Sequence, residues 1–336
     1  MLNDIYISIY SYGYSAGFIK DSRRKENFPF ITPRNLIEIC HDHSFCGVEL
    51  PIDKYIPEYD SKKIQSLLNQ YYKNNLGVKI DFERISSSYT KKIIPIMLDY
   101  KIEYFRVKVS NIFGCNRYKH PEFYSHFNNF IIYLREILPY LEKNNIKILI
   151  ENHQDILIDD YFKIWDVFSN DLIGVNWDVG NSIPALATPD DFLERVYPYI
   201  GNIHLKDYKI YKTDLGYKLV RCPLGKGAVN FDYIFSFLNK KQLNIPMTIE
   251  LGAMSARHSD IYVDAFWEAL PEISEKRRKA FINYINENYT FDKNDKTTWE
   301  KGYMPEKILK SEVRDVVQSS NFLKNFPRSS QKMSIS

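Results

Sequence analysis

The chain has 336 residues, with 45 Lys or Arg against 42 Asp or Glu, so its formal net charge is +3 at pH 7. Hydrophobic residues make up 44% and charged residues 26%, proportions typical of globular proteins, which excludes general disorder. Only 13 residues are Gly, which argues against Gly-rich phosphate-binding loops, collagen-like repeats and flexible linkers.

Cysteine content and the N-terminal sequence indicate the cellular compartment. Four cysteines are too few for a disulfide framework in a chain of this size, which favours a reducing environment. The opening residues, MLNDIYISIY, lack the basic segment and apolar run of a signal peptide. No apolar run approaches the ~18 residues that a membrane span needs. We therefore predict a soluble cytoplasmic protein with no membrane partner.

The positive charge is concentrated near the C-terminus. Residues 301–336 contain seven Lys or Arg and three Asp or Glu, so the other 300 residues carry 38 basic and 39 acidic side chains. A body with a net charge of −1 offers no surplus of cations for the phosphates of nucleic acid. We therefore expect no nucleic-acid partner, and we interpret the basic tail as a solvated terminus.

Short runs of β-branched and aromatic residues alternate with longer helical patterns along the chain. Segments whose apolar residues recur every three or four positions predict helices, among them 61–75, 122–144 and 231–241. The short runs are apolar on both faces, as is typical of parallel strands covered by helices. They predict eight strands: 4–10, 47–51, 77–82, 103–109, 146–151, 172–178, 201–206 and 246–251.

Eight β–α units in about 290 residues predict an α/β fold, the (β/α)8 TIM barrel, with a C-terminal helical extension. A doubly wound sheet is the competing fold, but its usual Gly-rich first turn is missing from SYGYSAGF after the first strand. We assign residues 1–290 to the barrel and expect 262–290 to supply its last covering helix and an extra one. Residues 291–336 form the extension, which we expect to be partly disordered.

Four late strands each carry a metal-binding type of residue near their ends. Glu151 ends the fifth strand and Asp178 the sixth, while His204 and Glu250 lie on the seventh and eighth. In a (β/α)8 barrel these ends converge at one mouth, and carboxylates buried there need a shared counter-charge. Oxygen-rich ligands with one imidazole suit Mn2+, Mg2+ or Co2+ better than Zn2+. The pattern predicts one divalent ion; the alternative is that each acid pairs with Lys or backbone amides.

Short motifs with this spacing carry a family resemblance. They are GVEL at 47–50, ENHQD at 151–155, DVGN at 178–181, HLKD at 204–207, PLGKG at 223–227 and IEL at 249–251. In this order the chain resembles the sugar phosphate isomerase/epimerase family, xylose isomerase-like TIM barrels of the AP endonuclease 2-type superfamily. The resemblance implies that Glu151, Asp178, His204 and Glu250 ligate one divalent metal ion, with Mn2+ as first choice and Mg2+, Co2+ or Zn2+ as alternatives. It also implies that Glu151 and Glu250 are the catalytic acid–base pair.

The resemblance implies a metal-dependent sugar isomerase or epimerase acting on a ketose, keto-sugar or keto-polyol through a metal-stabilised enediolate. Two carboxylates on opposite sides of a substrate can remove a proton from one face and return one to the other. The same residues equally serve a lyase: inosose or dehydroshikimate dehydratase-like chemistry, or eliminative cleavage of an oxidised glycoside. A catalytically silent barrel is disfavoured because all four residues are present. An apurinic-site endonuclease is disfavoured because the chain has only seven His.

Further residues near these motifs are candidate substrate contacts. Relatives often carry His at the position of Asn181, and Gly-Glu-Gly where this chain has Gly-Lys-Gly at 225–227. Lys206 is expected to pair with Asp207 at the mouth, and Arg106 or Lys108 to offset carboxylate charge. The predicted substrate-binding residues are His153, Asn181, Arg221, Lys206 and Glu49.

The expected partner is a small sugar or polyol. No phosphate-binding signature stands out, which favours an unphosphorylated substrate. The helical stretch 262–290 and the aromatic surplus, 26 Tyr and 21 Phe, are compatible with a homodimer. Additional aromatic residues in the core explain the surplus equally well.

Overall fold

Eight parallel strands close into a barrel in the computed structural model, which describes residues 4–326. Eleven strands lie within the described residues, eight in the barrel and three outside it: β1 (Ile5–Ser8), β2 (Gly47–Pro51), β3 (Gly77–Asp81), β4 (Tyr104–Val107), β5 (Lys147–Glu151), β6 (Ile173–Asp178), β7 (Ile200–Leu205), β8 (Asp207–Thr213), β9 (Gly216–Cys222), β10 (Met247–Ile249) and β11 (Arg257–Ser259). The barrel order is β1–β10–β7–β6–β5–β4–β3–β2. The predicted TIM barrel is confirmed, and each of its eight predicted strands lies within two residues of its observed bounds.

Eleven helices lie within the described residues, and most of them follow barrel strands and cover them. They are α1 (Asn35–His43), α2 (Ile52–Tyr55), α3 (Ser61–Tyr72), α4 (Ser87–Asp99), α5 (Phe123–Asn144), α6 (Ile158–Phe168), α7 (Pro189–Val196), α8 (Phe231–Lys240), α9 (Asp264–Glu268), α10 (Glu275–Asn288) and α11 (Pro305–Asn325). The predicted helical segments 61–75, 122–144 and 231–241 correspond to α3, α5 and α8. Among the described helices, none has the length and apolarity that crossing a membrane requires.

A second sheet of three antiparallel strands, β8, β9 and β11, was not predicted. Strand β8 pairs with β9 over its full length, and β9 pairs with β11. Buried side chains of the hairpin, such as Tyr208 and Leu219, pack with Phe281 and Ile285 of α10 in a core cluster separate from that of the barrel. The segment 262–290 was expected to cover the barrel, but its helix α10 contributes instead to the core of this small sheet.

Helix α11 lies beyond residue 290 and packs on the barrel, so the interpretation of the basic tail as a solvated terminus is wrong for residues 305–325. Its Val316 and Leu323 belong to the main barrel core. Its Glu312 accepts hydrogen bonds from the backbone N–H groups of Tyr14 (2.9 Å) and Ser15 (3.0 Å), which follow β1. The domain boundary at 290 stays a prediction. The predicted disorder of the last residues concerns 327–336, which lie outside the described part of the chain.

Candidate active site

The four side chains predicted as metal ligands lie together at the C-terminal ends of the barrel strands. Glu151 and Asp178 end β5 and β6, His204 lies on β7, and Glu250 follows β10. Each side chain offers one ligand atom, and these atoms lie within 4.8 Å of one another. All four residues are buried. The parallel register explains the arrangement, because it places Asp178 beside His204 on the neighbouring strand.

The imidazole of His204 is oriented as a metal ligand requires. Its Nε2 lies 2.8 Å from Oε1 of Glu49, at the end away from the cluster. Its Nδ1 is buried and makes no hydrogen bond within residues 4–326, although Oε2 of Glu250 lies 3.2 Å away. A carboxylate on the outer nitrogen fixes the tautomer and ring orientation of a metal-binding His. Nδ1 is therefore the nitrogen available to a cation in the cluster.

The charges of this part of the barrel also fit a divalent cation. Arg106 and Lys206 are the buried cations that contact the acids; Arg106 reaches four of them and Lys206 reaches two. The side chain of Arg106 is only 3% exposed, so little of this charge is screened by water. Burial raises the pKa of Asp81 to about 8, so this carboxyl is mostly neutral at pH 7. With His204 neutral, as a ligand must be, the remaining buried carboxylates exceed the two cations by two: Glu49, Glu151, Asp178 and Glu250. A doubly charged ion would offset that excess.

Burial and neighbouring charge shift the pKa values of the cluster. Burial raises the pKa of Asp178 to about 6, against the opposing effect of Lys206. Burial acts to raise the pKa of Glu250, but the charges of His204 and Lys206 outweigh it and hold this pKa well below its usual range. For His204, burial acts to lower the pKa, but Glu49 and Glu250 outweigh it and raise the pKa to about 9. Without a metal ion, the imidazole therefore holds a proton at neutral pH.

Three of the predicted substrate-binding residues lie against the cluster. The amide Nδ2 of Asn181 lies 2.8 Å from Oδ2 of Asp178 and 3.3 Å from Oε1 of Glu151. Lys206 Nζ forms an ion pair with Asp178 and lies 3.2 Å from Oε1 of Glu250. Glu49 lies behind His204, as described above. Their predicted contacts with a substrate stay predictions; the structure shows them holding the four candidate ligands.

The other two predicted substrate-binding residues lie apart from these contacts. His153 is half-buried; burial and nearby cations hold its pKa well below the usual value, so the ring is neutral. Its Nδ1 has no hydrogen-bond partner among the described residues. Arg221 points toward α11, with its guanidinium 3.4 to 3.5 Å from the carbonyl oxygen of Ser11 and 3.8 Å from Glu312 and Asp315. The substrate contacts predicted for both residues remain predictions.

The predicted ion pair between Lys206 and Asp207 is wrong. Successive residues in extended chain point to opposite faces, so only Lys206 points toward the cluster. The carboxylate of Asp207 accepts hydrogen bonds from the backbone N–H groups of Gly227 (2.8 Å) and Val229 (3.1 Å). A Cβ on Gly227 would lie 2.3 Å from Oδ1 of Asp207, which explains a glycine in this loop. Asp207 therefore fixes the loop after β9.

Sequence reasoning missed a polar layer inside the barrel, beneath the cluster. Lys79 Nζ lies 2.7 Å from Oδ1 of Asn202 and 2.9 Å from Oγ1 of Thr248, and Asn202 Nδ2 lies 2.6 Å from Oδ1 of Asn176. Asp81, which forms an ion pair with Arg106, was also missed. A signal was present, because Asn176, Asn202 and Thr248 each stand two residues before a candidate ligand and therefore share its face of the strand.

The family assignment follows from a sequence comparison that agrees with this geometry. Residues 37–267, more than half of the chain, match the family described as xylose isomerase-like TIM barrels. The chain belongs to this family. The resemblance seen in the motifs is thereby confirmed, and the four clustered residues of this xylose isomerase-like barrel lie within the matched region.

Curated relatives of this xylose isomerase-like barrel match only part of their own lengths. A 3-oxo-isoapionate decarboxylase from Pectobacterium atrosepticum is 26% identical over 119 residues, which cover 35% of this chain and 43% of the relative. The uncharacterized protein YihM from Escherichia coli is 21% identical over 214 residues, covering 62% of this chain and 63% of the relative. The chain therefore spans less than two thirds of the length of either relative.

Solved structures show the same fold at low sequence identity. A xylose isomerase-like TIM barrel protein from Mycobacterium smegmatis, in complex with magnesium, is 14% identical with a TM-score of 0.55, covering 84% of this chain and 97% of that one. A D-psicose 3-epimerase from Clostridium cellulolyticum H10 is 12% identical with a TM-score of 0.54 and the same coverage. These likenesses support the fold, and the reaction has to be argued from the site.

Proposed function

We propose that the protein is a metal-dependent sugar isomerase or epimerase acting on a ketose, keto-sugar or keto-polyol. One observation carries the proposal: Glu151, Asp178, His204 and Glu250 offer ligand atoms within 4.8 Å of one another at the C-terminal end of a (β/α)8 barrel. Three carboxylates and one imidazole suit Mn2+ first, with Mg2+, Co2+ and Zn2+ as alternatives. The proposed location, at the mouth of the barrel, is where enzymes with this fold carry out their reactions.

Glu151 and Glu250 are the proposed acid–base pair. A bound divalent ion would stabilise the negative charge that develops on the substrate oxygens. One glutamate removes the proton from the carbon beside the carbonyl, and the C–H electron pair forms an enediolate. The other, as the acid, delivers a proton to the opposite face of that carbon and inverts it. Delivery to the neighbouring carbon would instead interconvert an aldose and a ketose.

Neighbouring side chains hold the two glutamates in place for these proton transfers. Arg106 forms an ion pair with Glu151 and lies 3.9 Å from Oε2 of Glu250, so one guanidinium reaches both carboxylates. Ser8 donates a hydrogen bond of 3.2 Å to Glu250. Asn181 restrains Glu151 from the other side at 3.3 Å. Such contacts keep catalytic groups in a fixed geometry, which contributes to rate acceleration.

The second candidate is a lyase, and the partial match to a 3-oxo-isoapionate decarboxylase favours it. In the decarboxylation of a 3-oxo acid, the C–C bond breaks, CO2 leaves, and the electron pair forms an enolate that a glutamic acid protonates. In a dehydration, one glutamate removes the proton from the carbon beside the carbonyl, and the C–H electron pair forms an enolate. The enolate then forms a C=C bond as the C–O bond of the neighbouring hydroxyl breaks, and the hydroxyl leaves as water with a proton from the other glutamic acid. Glu151 and Glu250 could transfer the protons in each of these reactions, so the identity of the products distinguishes the lyase from the isomerase or epimerase.

The test is a screen for deuterium incorporation with metal-loaded protein in D2O. Ketoses, keto-polyols and 3-oxo sugar acids are incubated and followed by NMR. We expect deuterium at one carbon beside a carbonyl, lost by at least ~100-fold in Glu151→Gln and in Glu250→Gln. Glu122→Gln, which changes an exposed acid, is the matched control and should behave like the wild type. An epimer supports the first candidate, whereas released CO2 or an unsaturated product supports the lyase. Full exchange in both active-site variants would refute the proposal.

A further inference from the structure

A cavity of about 610 Å3 lies outside the cluster, between β9, the segment 294–304 and α11. Among the described residues, seven Lys or Arg and two acidic side chains line it. One of the seven, Lys209, forms a 2.8 Å ion pair with Asp292 just outside the lining, so the net charge is about +4. None of the four candidate metal ligands belongs to its described lining. Its volume is in the range of sites for small molecules. The cavity is therefore strongly basic and shares no candidate metal ligand with the cluster, although Arg221, one of the predicted substrate-binding residues, lies in its wall.

A buried guanidinium at the wall of this cavity lacks close partners. The side chain of Arg221 is only 7% exposed, and its Nε has no hydrogen-bond partner among residues 4–326. Its other contacts are long: 3.4 to 3.5 Å to the carbonyl oxygen of Ser11, and 3.8 Å to Glu312 and Asp315. A buried charged donor without a close acceptor is costly. An anion in the cavity would supply that acceptor.

Lysines at the edge of the cavity add further positive charge. Lys226, Lys296 and Lys307 line it, and among the described residues none of the three lies within ion-pair distance of a carboxylate, although the charge of Lys296 acts on Asp295. Lys307 instead lies over the ring of Tyr303, 3.6 Å from its centroid. These lysines come from three separate segments that the fold brings together. Their mutual repulsion would be relieved by a multiply charged anion.

We propose that this cavity binds the phosphate group of a phosphorylated small molecule. A phosphate monoester carries a charge of about −1.5 to −2 and three acceptor oxygens, which match a guanidinium and several ammonium groups better than one carboxylate does. The cavity borders the barrel mouth. Arg221 contacts the carbonyl oxygen of Ser11, and the hydroxyl of Ser11 donates a 3.0 Å hydrogen bond to the carbonyl oxygen of Ile249, the residue before Glu250. This proposed phosphate site does not depend on which reaction the metal cluster catalyses, and it adds a binding site to the proposed function.

Titration calorimetry at constant ionic strength tests the assignment, with inorganic pyrophosphate and fructose 6-phosphate as probes and fructose as the uncharged comparison. We expect saturable 1:1 binding of at least one phosphate probe and none of fructose at this site. The double variant Lys226→Gln/Lys296→Gln should weaken phosphate binding by at least ~10-fold. Lys240→Gln/Lys276→Gln, which removes two exposed lysines elsewhere, is the matched control and should bind like the wild type.

Three outcomes would overturn the assignment. The first is the absence of saturable binding of either phosphate probe to the wild type. The second is equal phosphate affinity in the wild type and in Lys226→Gln/Lys296→Gln, because phosphate would then bind elsewhere, for example at the metal. The third is tight binding of a single-stranded oligonucleotide that neither phosphate probe displaces, which would mark the surface as a nucleic-acid contact. Because the readout is binding, a failed exchange screen would leave this result unaffected.

Discussion

Replacing Glu49 with Gln tests how His204 is held. Glu49 Oε1 lies 2.8 Å from His204 Nε2 and 3.4 Å from Arg106 Nε, and Thr248 donates a 3.3 Å hydrogen bond to Oε2. Gln has the same shape and keeps an oxygen for Nε2, but it removes the negative charge that makes the imidazole a strong ligand. Loss of such a carboxylate typically lowers metal affinity by ~10–100-fold, or about 1.4–2.7 kcal/mol.

The assay is a competition between metal-free protein and a chelating indicator for Mn2+. Glu103→Gln, an exposed acid at the other end of the barrel, is the matched control and should bind Mn2+ like the wild type. Circular dichroism and urea unfolding establish that Glu49→Gln is folded. If that folded variant bound Mn2+ as tightly as the wild type, the conclusion that Glu49 supports His204 as a ligand would be refuted.

Two further predictions follow from charges inside the fold. Because the pKa of His204 is raised to about 9, a metal ion that binds to the imidazole must displace its proton. The affinity for Mn2+ should therefore rise about tenfold per pH unit between about pH 6.5 and 8.5. An affinity that does not change with pH over this range would contradict the prediction. Below pH 6 the dependence should steepen, because the pKa of Asp178 is about 6. Glu312→Ala leaves the backbone N–H groups of Tyr14 and Ser15 without their acceptor, which should lower the free energy of unfolding by about 3 kcal/mol in urea denaturation. An unchanged urea midpoint would contradict this prediction. The control variant is Glu306→Ala on the exposed face of α11, which should change the free energy of unfolding by less than about 0.5 kcal/mol.

The barrel could be predicted because each of its units carries a local signal. A buried parallel strand is a short apolar run such as KILIE at β5, and the helix after it repeats apolar residues every three or four positions. The barrel topology then fixes which ends of the strands meet. For that reason Glu151, Asp178 and His204 could be placed near one another from the sequence alone, and the structure brings them together.

Features that depend on distant pairing could not be predicted in this way. Strand β11 pairs with β9 across a gap of more than 30 residues, and nothing local marks that pairing. The four carboxylate contacts of Arg106 depend on the register of several strands, which a single-strand pattern does not contain. The residues that line the basic cavity under α11 come from segments that are far apart in sequence, so no contiguous motif in the sequence predicted this cavity. The cytoplasmic location, the homodimer and the lack of a nucleic-acid partner stay predictions.

Metal content tests the central claim most directly. Plasma mass spectrometry is applied to the purified wild type and to His204→Ala and Glu250→Gln, each checked for folding by circular dichroism. We expect about one equivalent of Mn, Co, Mg or Zn in the wild type and its loss in both variants, because each variant removes one of four clustered ligands. A wild type that retains no metal after dialysis against Mn2+ and Co2+ would contradict the account.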